Sequence, residues 1–596
     1  MRKILNSKIS LLIVSALLVV GCADDSSEGW SLEDEVNPLG KAEEYFAGGY
    51  LGTTTINGPF CFEQPTYSVS SQGLDDDFLH GEAFFEDYFS SEKNAGMPMS
   101  GRGPLYIRQA CIDCHPGYGH GKRMGNLGSN VTFDTSNNGN GYLLVVYNSG
   151  ADGDFGDASA AITDGRITGP TWTDATTDNA YVAELTGMPQ TKSASPFPAP
   201  LDESKITIEW KSYTDEWNNQ YADGTSYELI YPEVSIPSDA IYYKDSEYFA
   251  NINDPSKYEV RVEATIGIYG TGLIDAITEE DIDAEAEYQS TMSWGGRRGA
   301  SIVQLDGSYR KGRYTYGLTR GTLQHGPGSN ALWNITNVTR ETSNSLYRTN
   351  YCTTAYANAT AEDAAVRAAL AADSYYNFLI VDHNADGTLS DEEINSTYTK
   401  YRIYNYLMWN NTQYDRKLSS YAEARTTSQM DAELGLEEYT QFMVWHRGLA
   451  VPSVRNIDTD EYKRGKELFY SDELACTACH RPSWTTGSDN YVGDADMEGK
   501  LPKYANQKIW PYSDLLQHNL GMVNNIRTGW CRTTPLWGRY LNLTANGESS
   551  HLHDMRARDY YEAIMWHKGQ AKYSSDAFRL LDKSDRDAIV KFLQSI

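Results

Sequence analysis

Gly465-Lys466-Glu467-Leu468-Phe469, followed shortly by Cys476-Thr477-Ala478-Cys479-His480, is the stretch that decides the fold. The same order occurs earlier, with Gly81-Glu82-Ala83-Phe84-Phe85 ahead of Cys111-Ile112-Asp113-Cys114-His115. Two thiols one helical turn apart can reach the two vinyl groups of one porphyrin, and the adjacent histidine is then held under the iron as proximal ligand. The pair of motifs therefore reads as two covalent c-type haem attachment sites. The alternatives are a zinc site, which needs further ligands in a second nearby pair, or a redox dithiol, which needs no histidine in both copies.

A glycine four residues before an aromatic is similar to the N-terminal helix of small cytochromes c, where the glycine lets the C-terminal helix cross closely. For Gly465 that partner is expected at the end of the chain, with Ser584 as cap and Ile589, Phe592, Leu593 and Ile596 on one helical face. The resulting expectation is an α+β, mainly helical fold of two cytochrome-c-like haem units, too long for one compact core. The first unit spans residues 46–350 and carries a β-rich, loop-rich insertion over about 130–345. That insertion holds short runs such as Lys205-Ile206-Thr207-Ile208-Glu209-Trp210 and Glu259-Val260-Arg261-Val262-Glu263. A helical connector covers 406–450 and the second unit 451–596.

Between the units, residues 360–405 contain Asp382-His383-Asn384-Ala385-Asp386-Gly387-Thr388-Leu389-Ser390-Asp391-Glu392-Glu393. Asp382, Asn384, Asp386, Thr388, Ser390 and Glu393 stand where an EF-hand loop places its oxygen donors, and Gly387 where it turns sharply. The reading is a bound Ca2+ in an inserted helix-loop-helix, a structural clamp rather than a sensor. The plain alternative is an acidic turn between two helices.

Arg2 and Lys3, then the apolar run Ile9 to Val20, read as an export signal that breaks at Val20-Gly21-Cys22. A small residue before cysteine at that point resembles the bacterial lipobox, making residues 1–22 a lipoprotein signal peptide with Cys22 acylated. Residues 23–45 read as a flexible acidic tether. The apolar run is shorter than the roughly 20 residues a membrane span requires. The expected location is the bacterial cell envelope, periplasmic or outer membrane, held through lipid alone. The net charge of −31 argues against a nucleic-acid partner. Of eight cysteines, Cys61, Cys352 and Cys531 are left after lipid and haem, which permits at most one disulfide among three pairings.

From residue 451 a longer match appears: Val451-Pro452-Ser453-Val454-Arg455-Asn456, Tyr512-Ser513-Asp514-Leu515-Leu516, Arg532-Thr533-Thr534-Pro535-Leu536-Trp537-Gly538 and Leu552-His553-Asp554 through Glu562-Ala563-Ile564. Gly103-Pro104-Leu105, Gly270 to Ile274 and Gly312 to Tyr316 agree more loosely. This resembles the bacterial di-haem oxidoreductase family, a relative of di-haem cytochrome c peroxidase.

The resemblance implies that His567 is the far axial ligand of the second haem, in place of the methionine usual in the peroxidases, which lowers the potential. By elimination the first haem, on His115, is then the open one. Candidates for moving a proton there are His553, whose turn departs from the family by carrying Met555 for glycine, together with His325 and Glu263. The implied activity is reduction of peroxide or a similar small oxidant, with electrons supplied by a partner protein such as a small cytochrome. A non-catalytic electron-transfer cytochrome, or a redox accessory in outer-membrane iron acquisition, is the alternative.

Overall fold

A computed structural model describes residues 41–90, 102–133, 140–148, 161–163, 166–168, 182, 184–185, 188–252, 254–324, 335–338, 340–341, 346–347, 351–409, 434–526 and 529–596. The export signal, Cys22 and His325 lie outside these residues. Helices and strands are mixed, as expected of an α+β chain. Among the described residues no helix is long and apolar enough to cross a membrane.

The elements that matter are α1 (Asp75–Glu86), β1 (Asn130–Thr132), β2 (Tyr142–Asn148), β3 (Thr207–Tyr213), β4 (Leu229–Ser235) and β5 (Tyr258–Ala264). They are followed by α2 (Thr271–Asp275), α3 (Thr354–Glu362), α4 (Thr397–Trp409), α5 (Leu436–Arg447), α6 (Asp460–Phe469), α7 (Tyr560–Met565) and α8 (Lys583–Leu593).

Two helix crossings organise the molecule. On α6, Thr459 caps the first turn by accepting from the Tyr462 amide, and Gly465 faces α8 so closely that a Cβ there would meet the Ala588 carbonyl. Ile589, Phe592, Leu593 and Ile596 are all buried, as the spacing predicts. The cap of α8 differs: Asp582 occupies that position without a side-chain bond, and Ser584 lies inside the helix, which starts two residues earlier than a cap at Ser584 would place it. On α1, Asp75, Asp76 and Asp77 place negative charge at the positive helix end. Its Gly81 faces α5, with a Cβ there 2.5 Å from the Cβ of Trp445. The segment read as a connector thus supplies α1 with its crossing partner. Both pairs share one continuous core.

The insertion has its own core. There β2 pairs antiparallel with β5 over seven residues, from Tyr258↔Asn148 to Ala264↔Tyr142, and β3 lies between β1 and β4. α3 and α4 pack into this same core. Buried charge also fixes the end of α5, where Arg447 pairs with Asp275 of α2 at 2.7 Å and with Asp489.

The acidic loop sits before α4. The Asp382 carboxylate accepts from the amides of Asn384 (3.1 Å) and Gly387 (2.9 Å), and Gly387 takes φ +79°, the sharp turn expected of it. The flanking helices are shorter than a helix-loop-helix predicts. The entry is a single turn, Tyr376–Leu379, because Asp373 accepts from the Tyr375 and Tyr376 amides and restarts the chain there; the exit is the turn Asp391–Ile394 ahead of α4. Cys61, Cys352 and Cys531 are all free thiols.

Candidate functional site

Each cysteine pair folds into one tight turn, with the histidine amide donating back to the first cysteine: His480 to Cys476 at 2.9 Å and His115 to Cys111 at 3.3 Å. The ring of each histidine packs on the phenylalanine four residues beyond the crossing glycine. Phe469 lies 6.1 Å from His480 and Phe85 lies 6.3 Å from His115, centre to centre. In each ring Nδ1 donates to a carbonyl, Tyr512 at 3.1 Å for His480 and Ile266 at 2.8 Å for His115. A carbonyl only accepts, so the proton sits on Nδ1 and the lone pair of Nε2 is left for a metal. Burial pushes both rings down to about 4, which keeps them neutral.

His567, one residue past the C-cap of α7, faces His480 with ring centres 6.2 Å apart, and its Nδ1 donates to the Ala563 carbonyl at 2.7 Å. An imidazole nitrogen binds a metal at about 2 Å and lies about 1.1 Å from its ring centre, so two rings bridged by one ion stand about 6 Å apart. The observed separation fits one metal between them. The surrounding cavity, about 500 Å³, also carries Cys476 and Cys479. Within its lining, Nε and Nη1 of Arg532, Nη1 of Arg539 and the Tyr560 hydroxyl are buried without a hydrogen-bond partner. A porphyrin brings two carboxylates, the groups these donors lack. The residues present therefore fit a haem.

His518 also lines this cavity, but its ring is committed: Nε2 pairs with Asp514 at 2.7 Å and Nδ1 lies 3.0 Å from the Trp294 carbonyl. Burial opposes its charge, yet Asp514 lifts it up to about 11. Cys479, Asp514 and His518 come close enough to hold an ion. Attachment of Cys479 to a porphyrin removes its thiolate from such a set.

The structure brings together two of the three proton-transfer candidates. His553 Nδ1 lies 3.5 Å from Cys531 Sγ, and its ring meets that of Tyr316 edge-on at 5.9 Å. Its carbonyl accepts from Ala264, the residue after Glu263, at 2.8 Å, and the Glu263 charge reaches Tyr316. Two residues further along, Ile266 holds His115. One strand end therefore touches both sites, and His120, just past the first motif, lines the second cavity. Met555, standing where the family has glycine, adopts φ +60° and is fully buried, a strained backbone for a residue with a Cβ.

One residue was missed by sequence reasoning. His446, at the end of α5, is buried with no partner on either ring nitrogen, and it lies close enough to His115 to feel that ring's charge. The signal was a short repeat: Trp445-His446-Arg447-Gly448 and Trp566-His567-Lys568-Gly569. The basic residue is anchored alike in both, Arg447 on Asp275 at 2.7 Å and Lys568 on Asp215 at 3.5 Å.

Residues 409–596 match the family described as "Di-haem oxidoreductase, putative peroxidase". No curated protein matches. Among solved structures, a chain of Kuenenia stuttgartiensis hydrazine synthase pressurised with 20 bar xenon is 13% identical, with a TM-score of 0.17. The match covers 36% of this chain and 66% of that one, just under two thirds, a likeness too low to bear on the fold. Over its C-terminal third, where the His480 and His567 rings face each other, the chain is similar to the di-haem oxidoreductase family.

Proposed function

We propose that the chain is an exported di-haem c-type cytochrome oxidoreductase, with haem bonded through Cys111 and Cys114 and through Cys476 and Cys479. The observation that carries this reading is the 6.2 Å pairing of His480 with His567 above an intact cysteine pair. His480 and His567 would hold a haem iron from both sides, which favours a low potential and would suit that haem to storing and relaying electrons rather than binding substrate. Haem supplies the one-electron chemistry when bound; the protein supplies the neutral imidazoles, the buried arginines and the close approach of the two sites. The first haem would supply the site where peroxide or a similar small oxidant is reduced, with Glu263, and His553, which lines the second cavity beside the strand end leading to His115, as the groups able to move a proton.

A lipid on Cys22 holds the protein to the bacterial envelope, where a small cytochrome or similar protein exchanges electrons with it. Ca2+ bound by Asp382, Asp386 and Glu393 clamps the turn ahead of α4.

The test is mass spectrometry of the denatured holoprotein together with stopped-flow oxidation of the reduced protein by hydrogen peroxide. The expected result is a mass increment for two covalent haems and reoxidation of both by peroxide. An unmodified polypeptide mass would sink the reading at its root, and two attached haems that peroxide never reoxidises would leave an electron carrier.

A further inference from the structure

We infer that His446 is the second axial ligand of the haem held by Cys111, Cys114 and His115, so that this iron, like the other, is closed on both sides at rest. The inference rests on the di-haem reading above and changes its expectation of an open first iron.

Three observations lead there. The His446 ring is buried in a tightly packed helix crossing, and both its nitrogens lack a hydrogen-bond partner. A buried imidazole with neither nitrogen satisfied bears a desolvation penalty that a metal bond relieves at the nitrogen carrying the lone pair. By contrast His115, His480 and His567 each tie Nδ1 to a carbonyl. The ring is instead oriented by its neighbours, Phe442 at 6.1 Å and Trp445 at 5.8 Å.

The second observation is position. Trp445 packs on Phe85 at 4.4 Å, and Phe85 packs on His115, so one aromatic stack carries α5 to the first cysteine pair.

The third is the parallel with His567. In both copies of Trp-His-basic-Gly the residue after histidine is clamped by a buried aspartate, which fixes the backbone that presents the ring. Arg447 is held further, donating from Nε to the Pro502 carbonyl at 2.8 Å while its own carbonyl accepts from the Tyr504 hydroxyl at 2.8 Å. Such a ligand is positioned by the fold and not by chance approach. With two imidazoles on each iron the resting protein would offer peroxide no vacant position, so the peroxide reduction proposed above would require His446 to leave the first iron.

Electron paramagnetic resonance of the ferric holoprotein tests this, alongside the His446→Ala and His446→Met variants, with haem content of each checked by mass. The expected result is two low-spin haems in the wild-type protein. His446→Ala converts one of them to high spin, and added imidazole returns it to low spin, while His446→Met stays low-spin with a raised potential. A high-spin ferric haem in the wild-type protein, or two low-spin haems persisting in His446→Ala, overturns the assignment. If the alanine variant does not fold, the wild-type spectrum and the methionine variant decide. Both overturning results occur with two haems attached, so they leave the di-haem reading standing; loss of covalent haem from the wild-type protein would instead sink both.

Discussion

A Cβ placed on Gly465 would stand 2.7 Å from the Cβ of Phe592, across the contact between α6 and α8. It would also run into the Ala588 carbonyl, which is backbone and cannot swing away. Alanine normally improves a helix interior by about 1 kcal/mol over glycine. Here overpacking, about 1–3 kcal/mol, outweighs that gain. Gly465→Ala should therefore lower the melting temperature and Gly465→Val should lower it more, as read by circular dichroism. A variant melting above the wild type would show that the helices are not in this contact.

His567→Met restores the ligand type usual in the related peroxidases. Thioether ligation raises haem potentials, so one of the two midpoint potentials should rise while the other stays in place. Spectroelectrochemical titration reads both. Movement of neither would remove His567 from the iron.

The local parts of this architecture were legible because they are local. Cysteine spacing, the glycine before an aromatic and the apolar face Ile589, Phe592, Leu593, Ile596 each lie within a few helical turns. The partner of Gly81 was not legible, since α5 lies more than 300 residues further along and its face resembles any amphipathic helix. Nor was the pairing of β2 with β5, whose residues are separated by a long insertion with no turn signal joining them. His446 was overlooked because a single histidine on a helix is usually structural; only its alignment with Trp566-His567-Lys568-Gly569 sets it apart. The exit from the acidic loop was overdrawn for a different reason, since a loop motif specifies its ligands and not the length of its flanking helices.

Arg532 and Arg539 place cationic charge in the second cavity with nitrogens that no protein group satisfies. Burial pushes each guanidinium down to about 10, which still leaves it charged. Positive charge close to an iron favours its reduced state. Arg532→Gln should therefore lower one midpoint potential, Arg532→Lys should lower it less, and covalent haem content should not change. An unchanged potential in the glutamine variant would place the guanidinium away from the haem.

His518 and Asp514 form an almost fully buried pair, and removing one partner of such a pair costs about 3–5 kcal/mol. His518 is raised in the folded protein to about 11 from an unfolded value near 6.5. Its charged form is thus favoured by folding. The stabilisation is complete below about pH 6.5 and is lost progressively as pH rises toward the folded value. Asp514 is lowered, so its share is lost on the acid side, below the usual range near pH 3.9. Urea denaturation of wild type and His518→Gln should show the widest gap between about pH 4 and 6.5, narrowing at pH 9. A gap that widens with pH would reverse the assigned charge states.

Calcium binding to the acidic loop makes a prediction independent of haem. The Glu393 carboxylate is already ordered, accepting from the His383 amide at 2.8 Å and the Ser390 amide at 2.9 Å, and these bonds hold it down to about 2. It is therefore ionised at neutral pH. Asp382 and Asp386 likewise point their oxygens at the loop's own amides, bonds that compete with a cation for the same lone pairs. Binding must then reorganise the loop, which favours moderate affinity over the tight sites of rigid calcium buffers. A ligand that binds only the folded form adds about 2.7 kcal/mol at a hundredfold excess over its dissociation constant. Millimolar Ca2+ should accordingly raise the unfolding midpoint over that measured in chelator, and Glu393→Gln should abolish the rise while lowering the chelator value somewhat through its weakened bonds to the loop amides. Terbium luminescence, sensitised by nearby aromatics such as Tyr398, should appear in the wild type and be displaced by Ca2+. If calcium moves neither signal, the loop is an acidic turn held by its own amides and the clamp is absent.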